Sequence, residues 1–101
     1  MKNACIDYLA EQLGDRDIAG EVYAEYAASF KEKLAEAQES YAARDWKKLD
    51  FVVHTLKGNA LSAGDTEAAQ TAIELRGAAS LSDEEKAWSL LSRLAKMASE
   101  L

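Results

Sequence analysis

One side chain of the 101 offers a neutral nucleophile near pH 7, the single histidine His54. It stands in the stretch His54-Thr-Leu-Lys-Gly-Asn-Ala-Leu-Ser-Ala-Gly64, with Lys57 three positions on and Gly58 four positions on. On a helix, residues three and four apart are neighbours, so His54, Lys57 and Gly58 share one face. An imidazole has an ordinary pKa of about 6.5, which leaves a large neutral fraction able to attack an electrophile. Attack of a ring nitrogen on phosphorus gives a phosphoramidate. Lys57 places a cation where phosphoryl oxygens would lie, and Gly58 leaves room for an approaching partner. Asp50, one turn before His54, is placed to influence its tautomer or charge.

Other catalytic equipment is missing. There is no glycine-rich nucleotide loop, Walker lysine or kinase signature, and no nucleophile elbow for a Ser/His/Asp hydrolase. One histidine and the remote Cys5 do not make a zinc site.

The element that carries the stretch is predicted to be a helix over 46–63. Asp45 is its N-cap, and Gly64 is a C′ candidate. At about 100° per residue, Leu49, Val52, Val53, Leu56, Ala60 and Ala63 gather on one side, which must face a core. Lys47, Asp50, Phe51, His54, Lys57, Gly58 and Leu61 gather on the other. His54 is therefore expected to point outward. Phe51 and Leu61 flank it as exposed apolar groups around a polar centre, and with Lys47 and Asp50 they form a candidate partner-docking surface. The segment from Arg44 to Lys57 is also locally basic within an acidic chain, which favours a phosphoryl group or an acidic partner.

Four further helices position this one. A short helix over about 3–13 places Cys5, Ile6, Leu9 and Leu13 at helical spacing and ends at Gly14. A long helix over about 18–43 carries the row Ile18, Val22, Tyr26, Phe30, Leu34, Ala37 and Tyr41. A thinner, Ala-rich helix over about 67–79, capped by Asp65 or Thr66, has the stripe Ala69, Ala72, Ile73, Leu75 or Arg76, and Ala79. The last helix, over about 83–100, opens on a Ser82–Glu85 capping box and turns Trp88, Leu91, Leu94, Ala95 and Ala98 to one face, widened by Leu90, Met97 and Leu101. The chain has no proline and only five glycines. Short connections between amphipathic helices predict an all-α fold, an antiparallel up-down four-helix bundle with a short extra N-terminal helix, as a single domain over 1–101.

A formal net charge of -6 argues against nucleic acid as the main partner. With one cysteine, no intrachain disulfide forms. No apolar run approaches a membrane span and no signal-peptide pattern is present, so a cytoplasmic location is expected. Nothing in the pattern demands more than a monomer. A start at Met and an end soon after the last helix fit a stand-alone protein.

His54-Thr55-Leu56-Lys57-Gly58-Asn59-Ala60, followed by Gly64, resembles the His-x-x-Lys-Gly signature of histidine-containing phosphotransfer domains. The long preceding helix, the Ala43–Trp46 turn and the two following helices extend the resemblance over nearly the whole chain. It implies an up-down bundle whose histidine takes a phosphoryl group from a receiver-domain aspartate and passes it to another receiver, usually on the outward Nε2. By that resemblance His54 is the phospho-accepting residue, Lys57 assists electrostatically and Gly58 clears the docking surface. The partners implied are response-regulator receiver domains and a hybrid histidine kinase. Mg²⁺ is carried by the receiver, so the chain itself needs no cofactor or metal, and it has no autokinase activity. Two features depart from the family pattern. Asp65 follows Gly64 where a small or apolar residue is usual, and residues 68–79 are richer in alanine. Two other readings compete: the phospho-accepting domain of a chemotaxis-type histidine kinase, charged by an ATP-bound kinase domain, and a non-catalytic helical adaptor with an incidental histidine.

Overall fold

A computed structural model describes residues 1–101 as five α-helices and no strands: α1 (Asn3–Leu13), α2 (Arg16–Ala42), α3 (Trp46–Ser62), α4 (Thr66–Ser80) and α5 (Glu84–Ser99). The fold is all-α. Helices α2 to α5 run up and down, each packing on the next, and α5 closes the ring on α2; α1 lies against α2 outside it. The molecule extends 42 Å along its long axis, close to the length of α2 at about 1.5 Å per residue.

All four connections use the same device. A residue with positive φ ends each helix, and an aspartate begins the next: Gly14 (φ 71°) then Asp15, Arg44 (54°) then Asp45, Gly64 (71°) then Asp65, Ser82 (52°) then Asp83. In the last three turns the aspartate N–H reaches back to the carbonyl five residues earlier, on Ser40, Ala60 and Ala78. That is the Schellman closure, which satisfies carbonyls left over at a helix end. Each aspartate side chain then accepts from backbone N–H groups of the next first turn, where a negative charge also meets the positive end of the helix. The Ser82–Glu85 capping box does not form. Ser82 takes the left-handed position that terminates α4, and Asp83 is the N-cap of α5, accepting from Lys86 N–H.

The core joins all five helices through 27 buried residues. From α3 it takes Leu49, Val52, Val53, Leu56 and Ala60, with Ala63 just beyond. On α2 the buried row is Ala19, Tyr23, Tyr26, Phe30, Leu34 and Ala37. Ile18 is exposed and Val22 only half-buried. A strict every-fourth-residue row advances about 40° per step and winds off any one face. The mixed steps of three and four that the structure uses stay on it. The same drift explains Leu13 at the end of α1 and Ile73 on α4, both exposed; Trp88 on α5 is exposed as well. The inward stripes are instead Ala68, Ala69, Ala72, Leu75, Ala78 and Ala79 on α4, and Ala87, Leu90, Leu91, Leu94, Met97 and Ala98 on α5. Trp88 stays at the surface with its ring centroid 5.7 Å from that of Tyr41, and Trp46 meets the same tyrosine edge-on at 5.9 Å.

Asp65 accounts for the docking of α1. The residue is buried, and its carboxylate accepts from Lys2 Nζ at 2.7 Å, from the Tyr26 hydroxyl at 2.7 Å and from Ala68 N–H at 3.3 Å. A buried carboxylate needs such partners. Lys2 N–H donates to the Tyr23 hydroxyl, which donates to the Leu101 carbonyl, so both chain ends and the α3–α4 turn meet at one place. Tyr8 roofs the turn: a Cβ on Gly64 would lie 2.5 Å from its ring. Gly64 is thus required by contact as well as by φ.

Burial, together with the hydrogen bond to the Asp65 carboxylate, pushes the Tyr26 hydroxyl far above its ordinary pKa. Burial alone would lower Lys2, but the hydrogen bond and charge of Asp65 outweigh it and raise the ammonium's pKa. Both folded-state values lie above the unfolded ones. Their stabilisation is therefore complete below about pH 10 and is lost as pH climbs beyond it. Urea unfolding should show an alkaline fall in stability that Tyr26→Phe makes shallower while lowering stability at neutral pH. Asp65→Ala should cost about 3 kcal/mol; a loss under about 1 kcal/mol would show that solvent already satisfies Lys2 and Tyr26.

Candidate functional site

Helix α3 is held on two flanks, by α2 and α4, and its third side is bare. On that side stand Lys47, Asp50, Phe51, His54, Lys57, Gly58 and Leu61, all exposed or half-exposed. Phe51 and Leu61 are 70% and 52% exposed, so no neighbouring helix covers them. A cleft lined in part by Lys47, Asp50 and Arg76 opens at one edge of this face, but none of the three surface clefts is lined by His54, Lys57 or Gly58. A small ligand is usually held in a concave site; a bare nucleophile outside any cleft suits a macromolecule that supplies its own walls.

The structure adds a residue that sequence reasoning did not single out. Arg76, half-buried on α4, reaches across to α3. Its Nε donates to Asp50 Oδ1 at 2.9 Å, and its Nη1 lies 2.9 Å from His54 Nδ1. A guanidinium has only donors, so Nδ1 must be the acceptor in that contact. The neutral ring then carries its proton on Nε2, an inference from the hydrogen-bond partners. Asp50 acts on His54 through Arg76, not directly. Arg76 is the only basic residue of α4. A single long cation on the inner edge of an Ala-rich stripe was the signal available, but its target depends on how α3 and α4 register. Ile73, 48% exposed, precedes Arg76 by one turn on the same helix.

Lys57 takes part in no salt bridge, and neither do Lys47 and Lys48. Their charges are free for an anionic group or an acidic surface. Gly58 faces open space: a Cβ there would meet nothing within 4 Å. Its small size is thus not demanded by packing inside the bundle. No three His, Cys, Asp or Glu side chains converge where a metal ion could be held. Cys5 lies at the buried α1 contact, where burial and the nearby Asp65 charge raise its thiol pKa.

A helical bundle that presents one imidazole on an outer helix face, beside a free lysine and a glycine, defines a group-carrier module more readily than an enzyme with its own pocket. The Hpt domain family model matches residues 21–101, and the chain belongs to that family. Hpt domains are phosphotransfer carriers of phosphorelays and interact with receiver domains. No curated protein and no solved structure matches the chain. No helix is long and apolar enough to cross a membrane.

Because Gly58 touches nothing, Gly58→Ala should stabilise the isolated protein by about 0.5–1 kcal/mol, the usual gain in a helix interior. A higher urea midpoint at unchanged slope is the expected observation. A lower midpoint would mean that the outer face is packed after all.

Proposed function

We propose that the chain is a phosphorelay carrier of two-component signal transduction. His54 takes a phosphoryl group from a receiver-domain aspartyl phosphate and hands it to the aspartate of a second receiver. The observation that carries this reading is the exposed His54 ring outside any cleft, braced by Arg76 at 2.9 Å and followed at one turn by Lys57 and Gly58.

In loading, once the ring proton has moved from Nε2 to Nδ1, the lone pair of His54 Nε2 attacks phosphorus, the N–P bond forms and the bond to the carboxylate oxygen breaks. Lys57 offers charge to the phosphoryl oxygens as they pass between the partners. Gly58 lets the receiver approach, and Phe51 and Leu61 supply apolar contact, with Lys47 and Asp50 at the polar rim. Mg²⁺ and the acidic residues around the reacting aspartate belong to the receiver, so the chain needs no cofactor of its own and makes no phosphohistidine from ATP. As a carrier it passes on a group activated elsewhere, and a hybrid histidine kinase is a fitting source. It operates in the cytoplasm, and a monomer suffices.

Incubation with phosphorylated receivers and Mg²⁺ should yield an acid-labile, alkali-stable phosphoprotein, and His54→Gln should abolish it. Lys57→Ala should slow transfer about tenfold or more, the loss of one charge-assisted contact, without lowering the unfolding midpoint. Gly58→Leu should slow transfer by obstruction while the fold is retained. Failure of transfer across a broad receiver panel would sink the proposal. Charging only by an ATP-bound kinase domain would move the chain to the chemotaxis-type role.

A further inference from the structure

The contact between Arg76 and His54 sits oddly with a reactive Nε2. Nδ1 accepts from the guanidinium at 2.9 Å, so the neutral ring keeps its proton on Nε2, and the nitrogen that faces solvent has no lone pair to offer. The lone pair lies on Nδ1, under Arg76. We infer that Arg76 is a proton gate on His54, a positioning residue that keeps Nδ1 unprotonated, so that a phosphoryl group enters and leaves Nε2 only when the guanidinium lets go. The inference rests on the phosphorelay reading for its biological use, but the geometry behind it does not.

The chemistry is the same in both directions. For loading, Arg76 must release Nδ1 so that the ring proton can move, through solvent, from Nε2 to Nδ1. The freed Nε2 pair then attacks phosphorus, and the electrons of the breaking P–O bond go to the donor carboxylate; the Nδ1 proton passes to solvent when the guanidinium returns, and must be regained from solvent before unloading. For unloading, an acceptor oxygen attacks phosphorus and the N–P electrons return to Nε2. With a proton on Nδ1 the ring leaves as neutral imidazole. With Arg76 on Nδ1 it would have to leave as imidazolate, a far poorer leaving group. Water faces the same obstacle, so a phosphorylated ring held by Arg76 resists hydrolysis.

Release needs a competitor and a tether, and both are supplied. A phosphoryl dianion accepts from a guanidinium more strongly than a neutral imidazole does. The incoming group or the receiver's acidic site can therefore draw Nη1 away. Nε remains bonded to Asp50 at 2.9 Å, so Arg76 swings without leaving the site and returns when the partner departs.

His54 is the only histidine, so long-range proton–nitrogen NMR spectra of isotope-labelled protein report its protonation without ambiguity. The neutral ring should carry its proton on Nε2, and after chemical phosphorylation with phosphoramidate Nδ1 should stay unprotonated at neutral pH. Arg76→Ala should admit a proton to Nδ1 and shorten the half-life of the phosphorylated protein about three- to tenfold, as expected on losing one hydrogen bond of ordinary net strength at an exposed site. Arg76→Lys, which keeps a cationic donor, should restore both readouts in part. A neutral wild-type ring protonated on Nδ1, or a half-life unchanged by Arg76→Ala, would overturn the gate. If both readouts behave as expected while no receiver transfers phosphate, the gate stands and the phosphorelay reading falls.

Discussion

The constraint on which the structure turns is the division of α3 into two faces. Its inner face fills the space between α2 and α4, with Leu49 and Val53 fully buried, and any rotation of the helix that exposed them would carry His54 inward. Each buried leucine contributes about 1.5–3 kcal/mol relative to exposure, so the orientation of the imidazole is fixed by hydrophobic burial on the opposite side of the same helix. The site needs no pocket for this reason. Helix rotation, which side-chain rotamers cannot undo, sets where the nucleophile points.

Much of this was legible in the sequence because it is local. The wheel of α3 follows from 3.6-residue periodicity alone, and its inward set matches the buried set through Ala60 and Ala63. The exposure of Phe51 and Leu61 follows from the same wheel. The helix breaks were legible for a related reason: each aspartate follows a residue in the left-handed region, and Gly14 and Gly64 announce two of those positions. Ser82 and Arg44 do not, since neither side chain favours positive φ. That is why Ser82 reads as a cap in sequence although Asp83 does the capping.

What was not legible depends on tertiary register. Asp65 looked like a departure at a position expected to be small or apolar. In the structure it is a buried hub whose partners, Lys2 and Tyr26, are 63 and 39 residues distant in sequence. No local pattern joins them. Arg76 is the same case: the choice between Leu75 and Arg76 for the inner stripe of α4 was open, and the fold buries Leu75 completely while turning Arg76 toward α3. Ile73 and Trp88 fell on predicted inner faces because an apolar side chain at roughly the right spacing is ambiguous by one step of about 100°.

Two of the long-range charge contacts, Lys2–Asp65 and Arg76–Asp50, show why one serves the fold and the other can serve the site. The Asp65 side chain is 2% exposed and Lys2 20%; parting them would leave a buried carboxylate short of a partner, which is strongly destabilising. Arg76 and Asp50 are 34% and 42% exposed. A pair that wet is worth about 0.2–1 kcal/mol, so water can replace one of its bonds at little cost to the bundle. Arg76 can therefore move on and off His54 without loosening the bundle, because both helices stay anchored by their own buried stripes, Leu56 and Ala60 on α3 and Ala72 and Leu75 on α4. Motion at the site is compatible with rigidity beneath it because packing and gating are assigned to different side chains of the same two helices.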